Sequence, residues 1–163
     1  MMVPDPRLAA APDTPIVSPV MAIDLPKHRE KMREMFAFWG WDVRDQDVRL
    51  TWHEMGDLEL AVWVIFRRDG GKMQREWVIS EPTGILPIDH LSADKLPNAR
   101  SALNAFATQW KRTASESLVA KVGPLRAEWL RANKPDVLAQ NEQMLQMIGL
   151  AAELMADCAN EME

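Results

Sequence analysis

The sequence predicts an α+β domain: a small antiparallel sheet of three or four strands packed against an N-terminal helix and two or three C-terminal helices. Three observations predict it. Apolar residues recur at the helical period between Asp24 and Gly40, and again after Pro97. Between those segments the period drops to two, the mark of strands. Within the strand region, Asp69-Gly70-Gly71 supplies residues that tolerate positive φ, the chemistry of a hairpin turn. Helix, then turn-linked strands, then helices is the order of an α+β domain and not of alternating βαβ units.

Pro4, Pro6, Pro12, Pro15 and Pro19 open the chain, and each fixes its own φ and removes a backbone donor. Residues 1–23 therefore read as an extended proline-rich tail, and 24–163 as a single domain. With no uninterrupted apolar region, the first twenty residues do not read as a signal peptide. Asp24 with Pro26 is a helix start: a capping carboxylate, then a proline in the first turn where its missing N–H costs nothing. Met32, Phe36 and Trp39 form one apolar stripe, with Lys27, Arg29, Lys31 and Arg33 expected to face away. Gly40 is placed to end the helix in the left-handed conformation. Asp42-Val43-Arg44-Asp45-Gln46-Asp47 reads as an acidic turn.

Val48, Leu50 and Trp52 then alternate with Arg49, Thr51 and His53, a strand with one wet face that holds His53. Leu58 to Arg67 is apolar on both faces at its centre and belongs inside a sheet; after the turn, Lys72 to Ser80 returns with Met73, Trp77 and Ile79 on one face. Residues 81–97 carry four more breakers and read as loop, with a short strand between Ile85 and Leu91. Pro97-Asn98 opens a second helix with the stripe Leu103, Phe106, Trp110; Gly123-Pro124 breaks it, and a short helix carries Trp129. Pro135-Asp136 starts the last helix. Its predicted buried line is Val137, Met144, Ile148, Ala151, Met155 and Ala159, and Glu142, Glu153, Asp157 and Glu161 make its outer side acidic.

The chain has 163 residues, 47 % of them hydrophobic and 26 % charged, within the globular range. Its net charge of −5 argues against sequence-independent nucleic-acid binding, which depends on basic side chains displacing counterions. No run approaches the roughly 18 apolar residues of a membrane span, so no membrane partner is expected and the expected compartment is the cytoplasm. Cys158 is the only cysteine, which excludes an intrachain disulfide and any multi-cysteine zinc site. It lies near a helix C-terminus, where the dipole disfavours a thiolate.

No G-x-S-x-G elbow, phosphate-binding P-loop, dinucleotide fingerprint or H-E-x-x-H motif is present. The strongest catalytic candidates are His53, Asp89 and His90, two imidazoles and a carboxylate, with Glu54 or Glu81 near them. Asp89 and His90 are adjacent, so an extended backbone points them to opposite sides. No cofactor or metal is expected. Arg67, Arg68, Lys72 and Arg75 charge the hairpin tip, as strand ends commonly are to stay in water. Seven tryptophans and eleven methionines are enough to build a recognition face as well as a core.

Trp52-His53-Glu54, Ala61 to Ile65, Trp77-Val78-Ile79, Leu86 to Ala93, and Ala102 with Phe106 and Trp110 together resemble the core of an uncharacterised proteobacterial family of short acidic proteins, one of the domains of unknown function. The resemblance covers about residues 50–115 and, more weakly, the last helix. This chain departs from the family pattern by inserting Ser80 to Ile85, by lacking an acidic residue before Leu86-Pro87, and by carrying His90 in place of tyrosine. The resemblance implies fold and bacterial origin, and no activity.

These readings lead to a non-enzymatic protein-binding module, foremost an immunity protein that neutralises a cognate toxin by directing acidic side chains at a basic surface. Asp42, Asp45, Asp47 and Trp41 on the turn, and Glu142, Glu153 and Asp157 on the last helix, are the expected contacts. The alternatives are an adaptor or chaperone with a Met/Trp face, and an enzyme centred on His53, Asp89 and His90. A homo-oligomer is compatible with all three.

Overall fold

The computed structural model describes residues 24–56, 58–116 and 123–162. The proline-rich segment 1–23 lies outside the described residues. The elements are α1 (Leu25–Trp39), β1 (Asp42–Met55), β2 (Glu59–Asp69), β3 (Lys72–Ser80), β4 (Asp89–Ser92), α2 (Ala99–Ser115), α3 (Pro124–Asn133) and α4 (Pro135–Glu161). The strands make one antiparallel sheet in the order β1-β2-β3-β4, which is the α+β architecture the sequence predicts. The chain divides into two compact units, one through Ala102, which holds the whole sheet, and one from Leu103 onward.

In the first unit, local chemistry sets the boundaries of α1. The Asp24 carboxylate accepts the Lys27 N–H at 3.2 Å, and Gly40 ends the helix at φ 72°, its N–H returning to the Ala37 carbonyl. Leu25, Met32 and Phe36 pack on Val48, Ala61, Trp63, Ile65 and Val78, and Trp39, Trp41, Val43, Leu50 and Ile88 surround that core. Gly70 and Gly71, at φ 54° and 87°, turn β2 into β3, with Asp69 paired to Lys72. On the other face Leu60, Val62, Trp77 and Ile79 are buried too, and Trp77 Nε1 donates to the Leu96 carbonyl at 2.8 Å.

Four local expectations are corrected. Asp42 to Asp47 is not a turn but the start of β1. Its pairing slips between Val43–Arg67 and Val48–Ile65, where β1 advances farther than β2 and bulges. A second irregularity lies between Leu50–Trp63 and Trp52–Val62, where the extra residue Thr51 resets the alternation. His53 then pairs with Ala61 and shares the face of Trp63 and α1, not the wet face. Arg29 does not face solvent: it is 5 % exposed, its guanidinium 5.3 Å from the Trp63 ring centre and donating to the Val48 carbonyl at 2.9 Å. The short strand runs over Asp89–Ser92, later than expected.

In the second unit, Leu103, Phe106 and Trp110 are buried on α2 as their spacing requires. The cap of α2 lies before the boundary, in the first unit: Asn98 and Ser101 bond reciprocally, Ser101 N–H to Asn98 Oδ1 at 2.9 Å and Asn98 N–H to Ser101 Oγ at 3.2 Å. On α4, Ile148, Ala151, Met155 and Ala159 are buried, but Val137 and Met144 are exposed, so the apolar stripe runs farther than its cover. Leu125 and Trp129 of α3 are exposed as well. Among the described residues no helix is long and apolar enough to cross a membrane.

Candidate functional site

The α1 side of the sheet collects most of the chemistry in the first unit. Residues paired directly across antiparallel strands share a face. The pairs His53–Ala61, Ala61–Ser80, Trp63–Val78 and Val78–His90 put His53, Ser80 and His90 on this one side, and His28 reaches it from α1.

At one end lies a buried relay. His28 Nδ1 is 2.6 Å from Ser80 Oγ and His28 Nε2 is 2.7 Å from Glu59 Oε2. Trp63 Nε1 donates to Ser80 Oγ at 2.8 Å, and the Asp24 N–H donates to Glu59 Oε1 at 3.3 Å. Burial pushes the His28 imidazole below its ordinary 6.5, while Glu59 foremost, then Glu81 and Asp24, pull it upward. Neutral His28 with its proton on Nε2 closes the proton count: Trp63 to Ser80, Ser80 to His28, His28 to Glu59. His53 is pushed down as well, chiefly by burial, against the fields of Glu54 and Glu59.

Ser80, His28 and Glu59 have the composition of a nucleophile–base–acid relay. Their surroundings oppose that use. Ser80 and His28 are both 0 % exposed, and the serine oxygen accepts the Trp63 N–H, so the hydroxyl is shut off from solvent in this arrangement. The set instead ties the start of α1 to β2 and β3, and being fully hydrogen-bonded it fixes one register of helix on sheet.

Glu81 organises the loop after β3. Its carboxylate accepts the N–H groups of Thr83 and Gly84, both at 2.9 Å, that of Leu86 at 3.4 Å, and the Thr83 hydroxyl. One buried carboxylate thus satisfies the Thr83 and Gly84 amides of the Ser80–Ile85 insertion and that of Leu86 just after it, while the Ile85 N–H donates to Thr83 Oγ1 at 3.2 Å.

At the other end, His90 meets Trp39 and Trp41 edge-on, each ring centre 4.6 Å away, and Trp39 lies 4.7 Å from Trp41. The buried Glu76 carboxylate binds Arg67 Nε at 3.2 Å and lies 3.8 Å from His90 Nδ1. Arg67 covers the Trp41 ring at 4.9 Å.

The catalytic trio does not converge. His53 lies on β1 and Asp89 and His90 on β4, opposite edges of the sheet, three strand spacings or about 14 Å apart. Asp89 and His90 pair with Ile79 and Val78, on opposite faces as adjacency predicts. Among the described residues no group of three or more His, Cys, Asp or Glu side chains is placed to hold a metal ion.

The expected partner contacts fall in both units. Asp42, Asp45 and Asp47 lie at the start of β1, and Trp41 stands just before it. The Asp45 carboxylate pairs with Arg33 at 3.3 Å and its carbonyl accepts from Arg29 at 3.4 Å, so part of that acidic segment is neutralised within the chain. Trp41 is half-buried between Phe36, Trp39, His90 and Arg67. Glu142, Glu153 and Asp157 are exposed on α4.

Sequence reasoning passed over His28, Glu59, Ser80 and Glu76. The signal was present for three of them. His28 stands one turn before Met32 on the apolar stripe of α1, and Glu76 and Ser80 share the parity of Val78. Glu59, at the mouth of the relay, had none.

A domain of unknown function, DUF4826, matches residues 52–155, reaching farther into the last helix than the 50–115 core resemblance. No curated protein and no solved structure matches. The match spans β2, β3, β4 and α2 and most of α4, more than half of the chain, and the chain belongs to the DUF4826 family.

Proposed function

We propose that the protein is a non-enzymatic protein-binding module and, within that class, an immunity protein that neutralises a toxin in a bacterial cytoplasm. One observation carries this reading. Helix α4 holds five acidic side chains and no basic one, and the net charge of the chain is −5, so the remaining 19 acidic and 19 basic residues cancel. The negative field belongs to one helix. Such a concentrated field steers a basic partner and speeds association, and an inhibitor needs that together with shape, not reactive groups. The sealing of Ser80 and His28 supports the same reading.

Co-purification from the native host with mass spectrometry tests it, paired with co-expression beside the product of the neighbouring gene. A specific basic partner whose toxicity the protein suppresses is the expected outcome. Recovery of the protein alone, with no protection, overturns it. Exposed Leu125 and Trp129 on α3 favour a second reading, an adaptor with an apolar face. Salt separates the two: a contact led by carboxylates weakens as salt is added, and an apolar one holds.

A further inference from the structure

Helix α1 ends in a corner of aromatic rings. Trp39 and Trp41 flank Gly40 with their ring centres 4.7 Å apart, and His90 meets both edge-on at 4.6 Å. Phe36 stacks on Trp41 with centres 6.0 Å apart, and Arg67, itself paired with Glu76 at 3.2 Å, covers the Trp41 ring. Phe38, next to Trp39, is 82 % exposed. The corner is half-buried, not sealed. Among the described residues neither the Trp39 nor the Trp41 indole N–H donates a hydrogen bond, and neither nitrogen is shut off from solvent. The indoles of Trp63 and Trp77 differ, for both are bonded within the fold. Rings with outward donors suit a polyproline II segment, which presents flat proline faces and carbonyls that have no internal partner.

The chain carries such a segment itself. Pro12-Asp13-Thr14-Pro15 has the P-x-x-P spacing and belongs to residues 1–23, which precede α1. We propose that the Trp39–Trp41 corner is a polyproline II docking site and that its occupant is this chain's own Pro12–Pro15. Chain length selects that piece. The tail joins α1 at Asp24, and the helix carries the chain about 22 Å from there to Trp39. Asp24 and the corner belong to one compact unit, so this span is fixed. A polyproline II tail running back along α1 covers about 3.1 Å per residue, which brings Pro19 to about 15 Å from Asp24, Pro15 to about 28 Å and Pro12 to about 37 Å. Pro19 falls short, and Pro15 is the first proline to arrive. Because the tail is tethered, its effective concentration at the corner is on the order of millimolar, enough for a weak contact to fill the site. The proposal is independent of the acidic field of α4. A docked tail covers Trp41, one of the expected partner contacts, and so competes with a partner for it.

The test uses the full chain. Cys158→Ser with Ala11→Cys leaves one thiol, beside Pro12, to carry a nitroxide spin label, and Trp39→Phe and Trp41→Phe assign the two indole N–H resonances. The label is expected to broaden both resonances and the His90 amide. Pro12→Ser/Pro15→Ser should abolish the broadening, whereas Pro19→Ser, at a position too near Asp24 to reach the corner, should keep it. Indole signals untouched by the label, or broadened equally with and without Pro12 and Pro15, overturn the proposal. Mixing the labelled chain with an excess of unlabelled chain separates one molecule from two. Broadening by the chain's own tail is unchanged, and broadening that fades assigns the corner to the tail of a second copy and overturns the assignment made here. If Cys158→Ser fails to fold, unlabelled chains decide: Pro12→Ser/Pro15→Ser should shift the Trp39 and Trp41 indole resonances and Pro19→Ser should not, and no shift in the first variant sinks the proposal.

Discussion

His28 of α1 and Ser80 at the end of β3 meet at 2.6 Å, Nδ1 to Oγ, with neither side chain exposed. They lie 52 positions apart in sequence, so the contact exists only because α1 lies across the sheet. Removing either partner strands the other.

Replacing Ser80 by alanine should therefore cost more than one hydrogen bond. His28 Nδ1 and Trp63 Nε1 both lose their partner in a dry site, and leaving each unsatisfied costs about 1–3 kcal/mol. Urea unfolding of Ser80→Ala, Trp63→Phe and the double variant measures it. The two effects should be non-additive by at least about 0.5 kcal/mol, as expected within one network.

The relay also sets a pH dependence. The folded state holds His28 below its unfolded value of 6.5, so the unfolded chain binds more protons as pH falls through that value. Stability should be full above about pH 7 and decline on acidification, by up to about 1.4 kcal/mol per pH unit for each proton taken up. The loss continues until the pH reaches the lowered folded value. His53 adds to the slope with the same sign. In His28→Gln the decline between neutral and mildly acidic pH should flatten, read from denaturant midpoints across a pH series. An unchanged slope would remove His28 as its source.

Glu81→Ala should loosen the Ser80–Ile85 insertion without unfolding the sheet. Three backbone donors and the Thr83 hydroxyl lose one acceptor; the exposed Thr83 and Gly84 amides regain water, and the buried Leu86 amide accounts for most of a cost of about 1–3 kcal/mol. Hydrogen exchange at Thr83, Gly84 and Leu86 should accelerate while β2 amides stay protected.

Gly40 adopts φ 72° with nothing within 4 Å of where a Cβ would stand. Gly40→Ala therefore isolates backbone strain from steric clash and should destabilise by about 1–2 kcal/mol, with Gly40→Asn costing less. A thermal melt of the pair beside the parent checks the order.

The sequence alone determined the elements and their order. The Asp24–Pro26 start, the Gly40 stop, the doubly apolar Ala61–Phe66 run and the Asp69-Gly70-Gly71 turn are signals carried by neighbours within a few residues, and each element formed where they lie. What tertiary structure decided was everything that depends on phase and cover. Thr51, one extra residue against β2, sent His53 to the α1 face; nothing in alternation itself announces such a slip. Arg29 has the spacing of a solvated residue, yet the ring of Trp63 and the carbonyl of Val48 hold it inside. Val137 and Met144 continue an apolar stripe that periodicity can detect, but whether anything covers a stripe is a fact of the assembled chain. The pairing of His28 with Ser80 and Glu59 is of the same kind, because hydrogen bonds across the fold join residues whose own neighbourhoods give no sign of each other.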